Sequence, residues 1–256
     1  MRIVTDTGIA FAREITPELR YPVAIVITMM TPLVFLGLFG PLLTGLPGLS
    51  QEVGAEGASA WQWFLPGIVV LLALTGTAGA GAGLLQESLS GSFERMLVTP
   101  MNRLSMLAGR TLKEIVTLNA QALLLVLVLL PSDFRLHVLG TLAGLLMLSV
   151  FALGIGALSF TLAAVSRSQT VFYGVQQMTN FPLVLLSGVL LPMELAPDWL
   201  YTVSRFNPAA YLVEAERALF AGNFGDGAVL YGAVASVAIA AAGLLLGGRA
   251  MSRVTL

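Results

Sequence analysis

Six stretches of this chain have roughly the length that crosses a bilayer, and they hold almost no charge. A helix crossing about 30 Å of hydrocarbon needs about 20 mostly apolar residues. Stretches of this kind lie at 22–43, 63–85, 114–130, 138–165, 170–191 and 228–246. Glu114, at the start of the third, is the one charged residue they contain. That third stretch is the shortest, because Arg110, Lys113 and Glu114 crowd its beginning. The runs are apolar all round, which argues against barrel strands, where polar and apolar residues alternate over about ten positions. The pattern predicts an all-α integral membrane protein with six transmembrane helices in a single domain, residues 1–256.

Composition points the same way. Charged residues make up 11% of the 256, against about 25% in an average soluble domain. Thirteen Lys+Arg and 14 Asp+Glu cannot cover a soluble globule of this size. A net charge of −1 offers no footprint for phosphate backbones, so no nucleic-acid partner is expected. The absence of cysteine excludes a disulfide scaffold, a Cys-ligated zinc site and a thiol nucleophile. The first apolar run exceeds the about 7–15 residues of a cleaved signal and reads as an anchor.

Basic residues near span ends set orientation. Arg2, Arg13, Arg20, Arg95, Arg103, Arg110, Lys113, Arg167, Arg249 and Arg253 fall in one alternating set of segments. Arg135, Arg205 and Arg217 fall in the other. Ten against three places both termini in the cytoplasm, which agrees with an even number of spans.

The flanking segments carry their own signals. Val4, Gly8, Phe11, Ile15 and Leu19 recur at helical spacing, which suits an amphipathic interfacial helix over 1–20 in the headgroup plane. Thr16-Pro17-Glu18 reads as a fresh helix start, with a Thr cap and Pro at the first helical position. The 45–60 segment, rich in Gly and free of bases, reads as a translocated loop. Residues 193–225 contain two helix starts, Pro197-Asp198 and Asn207-Pro208, with Gly222 placed as a helix-ending glycine. This predicts a short outer-face helical hairpin between spans 5 and 6.

Several motifs invite other assignments. The glycine-rich run from Gly76 to Gly83 lacks the Lys-Ser/Thr of a P-loop and no strand precedes it, so it reads as a helix-packing surface. Gly140 with Gly144, and Gly243 with Gly247, repeat the same spacing. His137 is the sole histidine and has no partners for metal or acid–base work. No catalytic constellation appears, so the chain is read as a non-enzyme with neither a metal site nor an ATP site of its own. Polar residues inside spans are Asn119, Gln121, Gln176, Gln177 and Asn180. Gln176 and Asn180 share a helix face. Gln176, Gln177 and Asn180 serve either as glue between helices or as a translocation path.

The most informative segment follows the second span. Residues 87–100 mix Glu87, Glu94 and Arg95 with Phe93, Met96 and Leu97, and Pro100 stops the helix. A short amphipathic helix at such a junction either lies on lipid or docks into a groove of a soluble partner. Glu87 to Leu97, followed by Thr99-Pro100, Arg103 and Gly109-Arg110, resembles the cytoplasmic signature of type-2 ABC transporter permeases. Phe64-Leu65-Pro66-Gly67, Ser187-Gly188 with Pro192, and Asn207-Pro208 with Tyr211, Glu214 and Arg217 agree with that family. The similarity covers nearly the whole chain and is closest to the drug-exporter, daunorubicin-resistance-like branch. Ser92 departs from the Thr of many relatives and keeps the hydroxyl.

The resemblance implies a permease of a bacterial plasma-membrane exporter that dimerises, with an identical or a different subunit, and binds two separate ATPase subunits. ATP and Mg would sit on those subunits. Glu87, Gly91, Ser92, Phe93, Glu94, Arg95, Met96 and Leu97 would meet them, with Gly91 to Leu97 as the coupling helix. The expected cargo is a hydrophobic or amphipathic compound such as a drug, antibiotic or lipid. The alternative is a polysaccharide or lipid-linked glycan, for which the spans hold few aromatics in register.

Overall fold

The computed structural model describes residues 2–44, 60–90, 103–132, 134–166, 168–190 and 192–253, and among these it is helical without strands. The helices are α1 (Arg2–Arg20), α2 (Pro22–Thr44), α3 (Ala60–Ala78), α4 (Gly81–Leu89), α5 (Arg103–Leu129), α6 (Val138–Val165), α7 (Gln169–Leu185), α8 (Asp198–Ser204), α9 (Pro208–Phe220) and α10 (Gly227–Arg253). A single 3-10 turn, Met193–Leu195, precedes α8.

Among the described residues four helical stretches are long and apolar enough to cross a membrane: Trp61–Leu89, Ser105–Leu129, Val138–Val165 and Gly227–Arg249. A fifth candidate is the pair formed by α1 and α2, bent by 72°. The fifth apolar stretch of the sequence corresponds to α7, whose 17 residues fall short of the about 20 that span hydrocarbon. It ends early because the chain turns at Gly188, where φ is 74°, a conformation that Gly adopts without a Cβ penalty.

The bend between α1 and α2 corrects one expectation. Thr16 does not cap a new helix: α1 runs unbroken through Pro17 to Arg20, and the Thr16 hydroxyl bonds back to the Ala12 carbonyl. The break falls at Tyr21, which precedes Pro22 and is biased away from helical geometry by it. Ion pairs from Glu14 and Glu18 to α5 hold both sides of Pro17 in one helix.

Trp61–Leu89 is the central element. Of its most apolar window 61% is buried, against 22% for α10. Phe64, Leu65, Ile68 and Leu74 of α3 pack with Leu125 of α5, Leu148 and Phe151 of α6, and Leu212 and Phe220 of α9. The glycine-rich run lies where α3 gives way to α4. Hydrogen bonds tighten there to three-residue steps at Gly79, Ala80 and Ala82. The Gly81 amide donates to Ser159 Oγ at 2.9 Å, and that hydroxyl donates to the Ala78 carbonyl. Ser159 of α6 thus satisfies backbone groups that the break frees. Close helix packing holds at one glycine of the run: a Cβ on Gly81 would sit 2.3 Å from the Ser159 carbonyl oxygen, whereas Cβ atoms on Gly76 and Gly83 would meet nothing within 4 Å. Likewise, α10 touches α6 backbone to backbone where Gly243 meets Gly154.

Candidate functional site

Polar structure gathers at the two ends of the bundle. At the first end, α1 lies along the start of α5. A Cβ on Gly109 would sit 2.8 Å from the Phe11 backbone nitrogen and 2.5 Å from the Ala10 side chain, so the two backbones approach closely. The face that α1 turns to α5 carries Ala10, Glu14 and Glu18, while Val4, Gly8 and Leu19 of the apolar stripe stay exposed. Such an outward apolar stripe suits a helix against lipid headgroups.

Ion pairs lock this arrangement. Arg110 is 7% exposed. Its Nε lies 3.2 Å from Glu14 Oε1 in an ion pair, and its Nη2 pairs with Glu87 Oε2. Glu87 also meets Arg13 at 3.6 Å. One turn along α5, Lys113 bonds Glu18 at 2.9 Å and Glu114 at 3.1 Å. The Thr117 hydroxyl donates to Glu18 at 2.9 Å. One guanidinium therefore bridges carboxylates of two other elements through its planar set of donors. Of the residues expected at the ATPase interface, Glu87 sits in this cluster. Gly91, Ser92, Phe93, Glu94, Arg95, Met96 and Leu97 lie outside the described residues. The described chain leaves α4 at Ser90, three residues after Glu87.

The second end is built on backbone carbonyls. Arg217 of α9 donates to the Trp63 carbonyl at 3.2 Å and the Gly188 carbonyl at 2.7 Å, and its guanidinium lies 3.7 Å above the Trp63 ring. Asn207 caps α9 by accepting from the Ala209 amide at 3.0 Å, and donates to the Leu183 carbonyl at 2.7 Å. Gln62 donates to the Phe220 and Arg135 carbonyls, and accepts from the Arg135 amide. These bonds tie α9 to α3 and to the end of α7, and tie α3 to the connection before α6.

Helix α9 closes in a Schellman motif. Gly222 has φ 82°, and the Asn223 and Gly222 amides bond the Ala218 and Leu219 carbonyls. Arg205 pairs with Glu214 at 2.9 Å and lies over the Tyr201 and Tyr211 rings. Partial burial works against the Arg205 charge, but Glu214 and Tyr201 outweigh it and raise the guanidinium above its ordinary value.

The expected path residues on α7 divide. Asn180 is buried, Gln176 is half-buried with its side-chain oxygen unpartnered, and Gln177 is exposed. Gln176 and Asn180 thus share an inward face against the α3–α4 junction, with the Gln176 amide about 4.0 Å from where a Gly79 Cβ would lie. Gln177 joins an outward face with Val171, Tyr173, Met178 and Phe181. In α5, Asn119 bonds Ser149 at 2.8 Å and Gln121 bonds Thr28 at 2.9 Å, so both act between helices. Sequence reasoning missed the roles of Glu14, Glu18 and Arg13. Acidic residues at four-residue spacing facing basic residues at three-residue spacing on another helix were a readable hint, but only once the two helices are known to pack.

Comparison with known proteins gives a family. The model described as ABC-2 type transporter matches residues 5–221. The chain is 28% identical over 203 residues to the putative transport permease ycf38 of Cyanophora paradoxa, covering 78% of this chain and 69% of that one. It is 26% identical over 207 residues to the daunorubicin resistance ABC transporter permease protein DrrB1 of Streptomyces coeruleorubidus, covering 80% and 71%. It is 23% identical over 165 residues to the probable multidrug ABC transporter permease YbhR of Escherichia coli (strain K12), covering 62% and 44%.

Proposed function

The chain belongs to the ABC-2 type transporter family, and from that premise we propose that it is the permease half of an ATP-driven exporter of hydrophobic or amphipathic compounds. It is a multi-pass membrane protein of the permease type, and the family implies a separate ABC ATPase partner. In this reading two permease chains pair and each engages one ATPase subunit. Both termini face the cytoplasm of a bacterial cell, and α8 and α9 lie on the outer side. The drug-resistance name of one relative supports the cargo class.

One observation carries the mechanism. Glu87, at the end of α4, is held by Arg110 of α5, which also holds Glu14 of α1. The segment 91–97 begins four residues after Glu87. We take it as the coupling helix, gripped by the ATPase subunit. Closure of the ATPase pair on ATP would displace this segment. The ionic cluster then passes the displacement to α1 and α5 together, rather than letting α4 bend alone. The free energy enters as contacts that differ between two states.

The exposed apolar faces of α2 (Val23, Ile27, Met30, Val34) and α7 (Val171, Met178, Phe181) are where the second permease chain would sit. Gln176 and Asn180, on the opposite face of α7, line the path. The test is ATP-driven export in proteoliposomes holding permease and ATPase, with Glu87→Ala and Arg110→Ala. Both should lower export more than they lower ATPase binding. Unchanged export with either variant would contradict the relay.

A further inference from the structure

Glu216 departs from the rule that buried acids are paired. It lies in α9, which at 13 residues is too short to cross a bilayer. It is 0% exposed, and neither carboxyl oxygen has a hydrogen-bond partner among the described residues. The side chain points at α6: a Cβ on Gly144 would sit 2.3 Å from Glu216 Oε2, so the missing side chain at Gly144 makes room for the acid. Thr141, three residues earlier on α6, and Ser236 on α10 also carry buried hydroxyls without partners.

Among the described residues no charged group answers this carboxyl. On α9 itself, Glu214 is engaged by Arg205, and Arg217 turns to the Trp63 and Gly188 carbonyls. On α6, Val138–Val165 holds no titratable residue, and His137 before it packs against Gly222. On α3, Ala60–Ala78 holds none. At the start of α10, Asp226 accepts from the Ala228 amide, and Tyr231 faces Tyr211. Arg249 lies more than twenty residues further along the same helix.

An ionised carboxylate buried without a partner is strongly unfavourable, and the group takes up a proton instead. We propose that Glu216 is a proton-binding site: as a neutral acid it lets α9 seat on α6 over Gly144, and loss of the proton loosens that contact. The hairpin formed by α8 and α9 is then a latch that weakens as the pH around it rises. Burial pushes the Glu216 carboxyl from 4.5 up to about 8. Below pH about 4.5 the folded and unfolded chains both hold the proton. Between about 4.5 and 8 the folded chain holds a proton that the unfolded chain releases, so stability falls as pH rises through this window.

The test uses the full chain in lipid nanodiscs, with unfolding followed by tryptophan fluorescence from pH 5 to 9. Wild-type Tm should fall relative to Glu216→Gln by about 3 °C per pH unit up to about pH 8, and the variant should be the more stable at pH 8. Parallel Tm profiles would overturn the proposal. If Glu216→Gln fails to fold, infrared titration of the wild type decides. A protonated-carboxyl band that persists at pH 7 and bleaches near pH 8 supports the site, and its absence at pH 6 overturns it.

Discussion

Arg110 of α5 holds Glu14 of α1 at 3.2 Å while pairing with Glu87 at the end of α4. Three elements therefore share one guanidinium. Removing it leaves two carboxylates, 29% and 24% exposed, without their main partner. Hydrogen bonds to charged groups are worth about 1.5–3 kcal/mol each, and partial exposure trims that through screening. Arg110→Ala should destabilise the chain by about 1–3 kcal/mol. Arg110→Lys should recover less than half, since an ammonium is a point charge without the planar fork. Thermal unfolding in nanodiscs at low and high salt checks both the loss and its ionic origin.

At the other end, Arg217 combines two carbonyl acceptors with the Trp63 ring. Its replacement by Ala takes a donor from the Gly188 carbonyl, where a buried unpaired acceptor costs about 1–3 kcal/mol, while the Trp63 carbonyl keeps its ladder bond within α3. Its replacement by Lys keeps charge but not the simultaneous reach. Both variants should raise protease cleavage in 186–197, with Arg217→Ala the worse. Equal protease resistance in wild type and both variants would contradict this anchoring role.

The helices themselves were legible as uninterrupted apolar runs, and Asn207-Pro208 and Gly222 marked the ends of α9 because capping chemistry is local. The ionic cluster was not legible. Glu14 and Glu87 are far from Arg110 in the chain, and no short-range spacing rule links them. Thr16-Pro17 misled for the same reason: local capping signals favoured a break that tertiary ion pairs override. Glu216 sits two residues from Glu214 and beside Arg217, so it reads as part of a polar outer surface. Its burial exists only because Gly144, more than seventy residues away, lacks a side chain. The 17-residue length of α7 follows from the turn at Gly188, which a hydropathy run that continues to 191 conceals.

Topology can be tested cleanly, because the chain has no cysteine. Single cysteines at Ser252 and Gly54 should behave oppositely in intact cells. The reagent added outside should label Gly54→Cys and leave Ser252→Cys unreacted until the membrane is opened. Labelling of Ser252→Cys from outside would reverse the proposed orientation and with it the side assigned to α8 and α9.

The central claim is that a separate ATPase subunit drives this permease through the segment after Glu87. Phe93 is the one large aromatic there, and aromatic anchors at protein interfaces contribute about 2 kcal/mol or more. Glu94 and Arg95 would lie at the rim, where ion pairs are worth about 0–1 kcal/mol, and should tune partner choice instead. The most direct measurement is recovery of the ATPase subunit with wild-type and Phe93→Ala permease from mild detergent, alongside ATP-driven export. The account predicts that the wild-type chain retains the ATPase, while Phe93→Ala inserts normally but loses most of it and most of its export. Wild-type stoichiometry and unchanged export with Phe93→Ala would contradict the docking role.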